Sequence, residues 1–189
     1  LTGLKKIKTA VFISGTGSNL KNLIKFSKIN KSPISIDLII SNTNKAKGLQ
    51  YGKQFNIKIK IINFQNVKTI KKKLLTLLTK NKIEFICLAG FMKILSNDFI
   101  KKFNGKIINI HPSLLPKYKG LNTHSRAIQN RDKFSGCTVH HVTEKLDSGK
   151  IIMQRKVKIA KKDTPNTLAK KILKQEHKLY PAAILKIFN

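Results

Sequence analysis

Short apolar runs, each long enough for one strand and separated by helical segments, limit most strongly how this chain of 189 residues can fold. Residues 9–14 (TAVFIS), 34–41 (ISIDLIIS) and 85–90 (FICLAG) are almost continuously apolar. That pattern is typical of parallel strands that are buried on both faces. The chain therefore predicts an α/β fold with a doubly wound, mostly parallel sheet of about seven strands and helices on both faces.

The other predicted elements continue the same alternation. Apolar residues at helical spacing predict an amphipathic helix over 67–81. The other predicted strands cover 58–63, 106–111, 137–142 and 151–159, and the other predicted helices cover 18–29, 45–55, 96–103 and 164–188. Pro181 is expected to kink or interrupt the last helix. Residues 112–136, rich in Pro, Gly, Asn and Ser, predict a long functional loop within one domain over 1–189.

The composition favours a protein without disulfides or membrane spans. Cys87 and Cys137 are isolated, and neither has the spacing of a metal ligand or of a disulfide framework. No apolar run approaches the roughly 20 residues that cross a bilayer. Residues 1–14 lack the apolar core and the cleavage site of a signal peptide. We therefore expect a cytoplasmic protein with no membrane partner.

The net charge of +31, from 39 Lys and Arg against 8 Asp and Glu, raises the question of nucleic-acid binding. The lysines are scattered through every predicted helix and loop, together with the abundant Ile and Asn of an AT-biased coding sequence. Only 7% of residues are aromatic, too few to interleave with lysines as a base-stacking surface. We favour a compositional origin and no nucleic-acid partner, although the charge would concentrate anionic substrates.

A glycine loop, residues 14–19 (SGTGSN), lies between the first predicted strand and the first predicted helix. Gly15 and Gly17 let the backbone approach a ligand closely. The start of the helix offers N–H groups and a positive dipole end, which favour a phosphate. Ser18 and Asn19 are the candidate N-cap residues. The loop predicts a phosphomonoester site, with a tight turn that binds no ligand as the alternative.

Two other phosphate-binding motifs do not match this loop. Leu20 stands where the dinucleotide fingerprint has its third glycine, and no acidic residue ends the second predicted strand. The Gly-Lys-Ser/Thr of a Walker A loop is also absent from the sequence around the loop. A dinucleotide or nucleoside triphosphate site is therefore not predicted.

Polar residues end the fifth predicted strand. Asn109 and His111 are two residues apart, so their side chains point to the same face. They lie at the carboxyl end of the strand, where ligands bind in open α/β sheets. A carboxamide and an imidazole together suit the stabilisation of an oxyanion and the transfer of a proton. The alternative is a strand-end histidine with a purely structural hydrogen bond.

Other chemistries for this stretch have weaker support. Ser113 lacks the G-x-S-x-G context of a nucleophilic serine. The remaining histidines, His124 and the adjacent His140 and His141, lack the spacing of metal ligands. We therefore expect neither a covalent serine intermediate nor a metal.

Asp147 is the third candidate, in the segment 136–149 (GCTVHHVTEKLDSG). A carboxylate close to His111 would raise the pKa of that imidazole and orient it. Asp-Ser-Gly is also a common turn-forming sequence. Spacing alone leaves both interpretations open.

Five motifs in order along the chain resemble the phosphoribosylglycinamide formyltransferase family. They are SGTGSNL at 14–20, LAGFMKIL at 88–95, NIHPSLLPKYKGLNTH at 109–124, GCTVHHVTEKLDSG at 136–149 and QEHKLYP at 175–181. The resemblance implies a Rossmann-like formyltransferase fold. It also implies formyl transfer from 10-formyltetrahydrofolate to the amine of phosphoribosylglycinamide in purine biosynthesis, without a metal, by a monomer or homodimer.

The resemblance also implies roles for individual residues. Residues that would bind the phosphoribosylglycinamide are Gly15, Thr16, Gly17, Ser18, Asn19 and Glu176. The catalytic residues would be Asn109, His111 and Asp147, with a protonated imidazole. Residues that would contact the folate are Met92, Lys93, Ile94, Leu95, Asn109, Thr143, Glu144, Lys145, Leu146 and Asp147. Residues 1–105 would thus bind the phosphate and residues 106–189 would carry catalysis and folate binding.

Some positions depart from the family pattern or leave alternatives. The family usually has an aromatic or branched residue at the position of His141, and it often has a proline at the position of Lys119. Lys68 is only a loosely aligned candidate for a basic contact with the folate. A formyl-folate hydrolase and methionyl-tRNA formyltransferase are related alternatives, but each is expected to carry an additional domain beyond a chain of this length. A non-catalytic nucleic-acid binder would leave the three polar residues unexplained.

Overall fold

The computed structural model describes residues 5–64 and 67–188; the side chain of Lys68 lies outside the described residues. The chain divides into two compact units, the first ending at Ile108 and the second beginning at Asn109. In the first unit the elements are β1 (Ile7–Ile13), α1 (Ser18–Ser27), β2 (Ile34–Ser41), α2 (Leu49–Gln54), β3 (Lys58–Ile61), α3 (Val67–Lys80), β4 (Phe85–Leu88) and α4 (Asn97–Lys102). Strand β5 (Lys106–His111) spans the boundary, and α5 (Thr123–Gln129), β6 (Phe134–His141), β7 (Ile151–Lys158) and α6 (Pro165–Phe188) follow.

The strands form a seven-stranded sheet in the order β3-β2-β1-β4-β5-β6-β7. Strand β1 pairs in parallel with both β2 and β4, and β2 pairs in parallel with β3. Strands β6 and β7 are antiparallel. The predicted α/β fold with a mostly parallel sheet is therefore confirmed.

The core of the first unit explains its parallel strands. Residues Ala10 to Ile13 of β1 and Phe85 to Cys87 of β4 are completely buried. Fully burying an aliphatic or aromatic side chain of this size contributes about 1.5–3 kcal/mol. Because the chain order reverses between β1 and β4, the loops after these two strands lie at the switch point where such sheets bind ligands.

The second unit is built around α6, which packs against β6 and β7. Its completely buried residues recur at helical spacing: Leu168, Ile172, Leu179, Tyr180, Ala183 and Ile184. The helix continues without interruption through Pro181, so the expectation of an interruption was wrong. The buried residues on both sides of Pro181 hold the helix together although the proline lacks an N–H donor.

Helix α2 is shorter than predicted. It begins at Leu49 and not at 45, with Gly48 as its N-cap residue. The Gly48 amide donates to the Gly15 carbonyl oxygen at 3.0 Å. A Cβ on Gly48 would lie 2.8 Å from the Gly17 Cα, so this position needs a glycine. The segment before α2 thus supports the glycine loop.

The prediction of one long loop over 112–136 was also wrong, since α5 forms within it. Only Ala127 and Ile128 are apolar in this short helix, so it has little helical periodicity. Thr123 and Ala127, four residues apart, form its buried face. A seven-residue helix of this composition depends on tertiary packing, which a local pattern does not contain.

No helix in the described parts of the chain is long and apolar enough to cross a membrane.

Replacing Gly136 with Ala should destabilise the second unit. A Cβ at this position would lie 2.0 Å from the Arg155 carbonyl oxygen in the adjacent strand. Overpacking of this kind typically costs about 1–3 kcal/mol. Urea unfolding should show that loss for Gly136→Ala and a change below about 0.5 kcal/mol for the exposed control Lys133→Ala. Equal stabilities of the two variants would contradict the close packing of β6 on β7.

Candidate active site

The glycine loop follows β1 and is tied to two neighbouring segments of the first unit. The Ser14 hydroxyl donates to the Asn42 Oδ1 at 2.6 Å and accepts from the Met92 amide at 2.8 Å. The Ser14 amide donates to the Gly90 carbonyl oxygen at 3.2 Å. The loop after β1 and the loop after β4 are therefore held together by one serine.

The start of α1 has no side-chain cap. Gly17 is the N-cap residue, with φ 73°, and it has no side chain to cap the first turn. Ser18 and Asn19 lie inside the helix, so the expectation that one of them is the N-cap was wrong. Gly15 and Thr16 are exposed before it. A helix start without a side-chain cap can accept an anion on its N–H groups.

Asn19 differs from its neighbours in being buried, at 7% exposure. Its side chain therefore packs within the first unit, whereas Ser18 is half-buried. Of the five predicted loop residues, Gly15 and Thr16 are exposed, Ser18 is half-buried, and Gly17 and Asn19 are buried.

The segment after β4 presents apolar side chains to solvent. Met92 and Ile94 are 64% and 77% exposed, whereas Leu95 is only 4% exposed and belongs to the core. Lys93 is also exposed and lines an open depression of about 550 Å³ with Asn42 and Asn63. The predicted folate contacts at 92–94 are accessible; Leu95 is available only through its backbone.

In the second unit, the end of β5 forms a buried polar cluster with β6 and the turn before β7. The His111 Nδ1 lies 3.4 Å from the Asp147 Oδ2, and both side chains are less than a tenth exposed. The His111 Nε2 hydrogen bonds with the Tyr118 carbonyl oxygen at 2.8 Å. The Gly120 amide donates to the Asp147 Oδ2 at 2.8 Å. His111 and Asp147 are therefore a pair, and Asp147 is more than a turn former.

Asn109 joins this cluster through His140, a residue that was not predicted as part of the site. The Asn109 Nδ2 lies 3.2 Å from the His140 Nε2. The His140 Nδ1 lies 2.9 Å from the His141 carbonyl oxygen, which can only accept. The His140 Nδ1 therefore carries a proton, and its Nε2 lies 3.6 Å from the Asp147 Oδ1 as well as beside the Asn109 amide. Asn109, His140 and Asp147 thus belong to one cluster.

A sequence signal for His140 did exist. It lies on β6 at 2% exposure, beside the half-buried His141, and a buried imidazole needs polar partners. Adjacent residues of a strand face opposite sides, so the sequence indicates that only one of the two histidines can join the cluster. The burial of β6 does not alternate, so only the fold shows that this histidine is His140.

The pKa of His111 is lowered because burial disfavours its charged form. The hydrogen bond to the Tyr118 carbonyl and the Asp147 carboxylate raise that pKa, but by less than burial lowers it. The predicted effect of Asp147 has the right direction, yet it does not keep the imidazole charged in the free protein. At neutral pH the His111 imidazole is therefore predominantly neutral.

The pKa of Asp147 is lowered despite its burial. Burial alone would raise it, but the neighbouring His140 imidazole, the Gly120 N–H and the His111 imidazole together lower it further than burial raises it. Asp147 also has a φ of 46°, in the left-handed region. The carboxylate is thus ionised and held in a fixed place beside His111.

The other predicted site residues of the second unit are an exposed turn before Asp147 and a buried carboxylate on α6. Thr143, Glu144, Lys145 and Leu146 form an exposed turn that leads into Asp147. Glu176 is 7% exposed on α6. Burial and, to a smaller extent, the Glu176 carboxylate raise the pKa of the Cys137 thiol to about 12. Glu176 therefore faces β6 at Cys137.

Within the described residues, no group of three or more His, Cys, Asp or Glu side chains is arranged to hold a metal ion.

The sequence and the structure both have close relatives. Residues 7–184 match the family described as formyl transferase. Phosphoribosylglycinamide formyltransferase of Haemophilus influenzae is 42% identical over 180 residues, which cover 94% of this chain and 85% of that protein. The trifunctional purine biosynthetic protein adenosine-3 of Homo sapiens is 43% identical over 95% of this chain, which spans only 18% of that relative.

Solved structures agree with these sequence relatives. The crystal structure of phosphoribosylglycinamide formyltransferase from Brucella melitensis is 40% identical, with a TM-score of 0.91 and coverage of 97% of this chain and 96% of that chain. The same enzyme from Campylobacter jejuni is 33% identical, with a TM-score of 0.90 and coverage of 98% and 99%.

Replacing Gly48 with Ala should weaken phosphate binding by the glycine loop. The added Cβ would displace Gly17, 2.8 Å away, and with it the start of α1. We expect calorimetry with ribose 5-phosphate to show an affinity about tenfold lower, because overpacking strain of about 1–3 kcal/mol would act on the start of α1. The exposed neighbour variant Gln50→Ala should bind as the wild type does. Unchanged affinity in Gly48→Ala would contradict a phosphate site at this loop.

Replacing Asp147 with Asn should lower the pKa of His111 further. The carboxylate favours the charged imidazole, so its removal leaves burial less opposed. Histidine NMR titrations of the wild type and the variant measure the shift directly. His177, whose pKa is lowered by burial alone, is an internal control that should not move. A higher or unchanged His111 pKa in the variant would rule out the pairing of these two side chains.

Proposed function

The chain belongs to the formyl transferase family, and from that premise we propose that it transfers the formyl group of 10-formyltetrahydrofolate to the amine of phosphoribosylglycinamide. The products are formylglycinamide ribonucleotide and tetrahydrofolate, in a step of purine biosynthesis. The observation that carries this proposal is the buried network of an amide donor, an imidazole and an ionised carboxylate at the end of β5.

Formyl transfer to an amine makes two chemical demands that this network can meet. The amine nitrogen forms a bond to the formyl carbon, and the bond from that carbon to the folate nitrogen breaks. Negative charge develops on the formyl oxygen between these events, and one proton passes from the amine to the leaving nitrogen. An oxyanion donor and a proton carrier are therefore required.

Asn109 is the proposed oxyanion donor. His140 holds one side of its amide at 3.2 Å, so the remaining N–H has a fixed direction. A donor that is positioned before the reaction costs no reorganisation when the charge appears. Removal of one such donor typically lowers kcat by a factor of about 10²–10³.

His111 and Asp147 are the proposed proton carriers. With a lowered pKa, His111 enters the reaction neutral and can accept a proton, in place of the protonated state expected from the sequence. The adjacent Asp147 carboxylate stabilises the imidazolium that forms. His111 then donates this proton to the leaving nitrogen as the bond from that nitrogen to the formyl carbon breaks. General acid–base catalysis of this kind contributes a factor of about 10²–10⁴.

The remaining residues are proposed to bind the two substrates. The phosphate would bind at Gly15, Thr16 and Gly17 and the first turn of α1, with Ser18 and Asn19. The exposed apolar side chains of Met92, Ile94 and Leu146 suit the ring system of the folate. Lys93, Leu95 and 143–145 would contribute further folate contacts, largely through backbone groups. We propose that Glu176 binds the glycinamide part of the acceptor.

The proposed partners are these two small molecules. The expectations of no nucleic-acid or membrane partner, of a monomer or homodimer, and of a cytoplasmic location stay predictions.

An assay with and without the acceptor tests the proposed function. Loss of the formyl group from 10-formyltetrahydrofolate, followed by absorbance, should require phosphoribosylglycinamide. An equal rate without acceptor would show a formyl-folate hydrolase instead.

Variants of the network test the assigned roles. His111→Ala and Asn109→Ala should each lower kcat by a factor of about 10² or more while ribose 5-phosphate still binds. Asn104→Ala, an exposed asparagine outside the network, is the matched control for Asn109→Ala and should retain wild-type kcat. Near-normal turnover in His111→Ala would exclude this imidazole from catalysis.

A further inference from the structure

One loop of the second unit supplies a backbone partner to both members of the His111 and Asp147 pair. The Tyr118 carbonyl oxygen bonds to the His111 Nε2 at 2.8 Å, and the Gly120 amide donates to the Asp147 Oδ2 at 2.8 Å. The two contacts come from residues only two positions apart. The placement of the pair therefore depends on the conformation of this short loop.

The loop has a backbone conformation that needs external support. Tyr118, Gly120 and Asn122 have φ angles of 55°, 76° and 58°, all in the left-handed region. Residues with a Cβ are disfavoured there. Such a conformation persists only when the surrounding contacts enforce it.

Arg126, on α5, contacts the backbone of this loop. Its Nη1 donates to the Lys119 carbonyl oxygen at 2.7 Å and lies 3.5 Å from the Leu121 carbonyl oxygen. Its guanidinium carbon lies 5.0 Å from the centre of the Tyr118 ring. One side chain thus contacts three of the loop residues, including the residues on both sides of Gly120.

The hydrogen bond from Arg126 to the Lys119 carbonyl oxygen also affects the Gly120 amide that bonds to Asp147. The Lys119 carbonyl and the Gly120 N–H belong to the same peptide group. That peptide lies between a guanidinium at its oxygen and the Asp147 carboxylate at its N–H. Hydrogen bonds at the two ends of one peptide polarise and strengthen each other.

Other contacts hold the loop but not this peptide. The Tyr118 hydroxyl donates to the Asp132 carboxylate at 2.8 Å, and Lys117 forms an ion pair with the same carboxylate at 3.1 Å. The Lys119 ammonium donates to the Ser148 hydroxyl at 2.6 Å. These contacts anchor side chains, whereas Arg126 binds the backbone that touches Asp147.

We propose that Arg126 is a positioning residue for the reaction, which holds the Lys119–Gly120 peptide against Asp147 and the Tyr118 carbonyl against His111. This role rests on the proposed function of His111 and Asp147. The positive charge of Arg126 also contributes, as the smallest of several causes, to the lowered pKa of His111, which agrees with its place beside the pair.

Three variants test the role of Arg126. Arg126→Gln removes the charge and the forked donor, Arg126→Lys keeps the charge but loses the planar fork, and Arg155→Gln removes a charge from an exposed position on β7. For each we would measure kcat, both KM values, and the hydrogen exchange rate of the Gly120 amide by NMR without substrates.

Arg126→Gln should lower kcat about tenfold, because displacement of catalytic groups by a fraction of an ångström has effects of this size. Both KM values should stay within about twofold, because Arg126 carries no substrate contact in the proposed site. The Gly120 amide should exchange about tenfold faster, as loss of a charge-assisted hydrogen-bond partner predicts. Arg126→Lys should be intermediate in both measurements, and Arg155→Gln should match the wild type.

Wild-type Gly120 exchange in Arg126→Gln would overturn the proposal, even if kcat fell, since the loss would then be a general structural defect. Wild-type kcat in Arg126→Lys would also overturn it, and this variant decides the matter if Arg126→Gln does not fold. Gly120 exchange needs no substrate. A wild-type protein without transferase activity would therefore refute the proposed function while the amide measurement still tests the contact.

Discussion

The buried pair of His111 and Asp147 is the interaction on which the rest of the site depends. Burial disfavours a charged imidazole, and the ionised carboxylate 3.4 Å away favours it. The outcome is a neutral histidine beside a fixed negative charge, so the proposed uptake of a proton by His111 would have a counter-charge already in place. The backbone at Tyr118 and Gly120 gives each side chain a further partner, as buried polar groups require.

Glycine positions connect the fold to the site in the first unit. Gly17 and Gly48 approach each other so closely that neither can carry a Cβ. The contact between Gly17 and Gly48 joins the start of α1 to the segment before α2. Ser14 links the loop after β1 to the loop after β4. The parallel strands place these loops at the switch point of the sheet, so the packing and the proposed ligand binding at this edge would depend on the same backbone contacts.

Much of the fold could be predicted because its signals are local. Continuous apolar runs such as 34–41 identified the buried strands. Features set by tertiary contacts could not be predicted in this way. Helix α5 depends on tertiary packing, and the contact between His140 and Asn109 joins residues 31 positions apart. Arg126 and Lys119 are only seven positions apart, but their contact depends on the left-handed conformation of the loop between them. The lowered pKa of His111 depends on the burial of its side chain. The spacing of Asn109 and His111 on a strand does not reveal that burial.

Isotope tracing follows the proposed movement of a formyl group from a folate to an amine. The enzyme would be incubated with 10-formyltetrahydrofolate labelled with ¹³C in the formyl group, together with phosphoribosylglycinamide, and the label followed by ¹³C NMR. We predict that the signal moves into the formamide of the acceptor as tetrahydrofolate appears. Release of the label as free formate, with the acceptor unchanged, would contradict it.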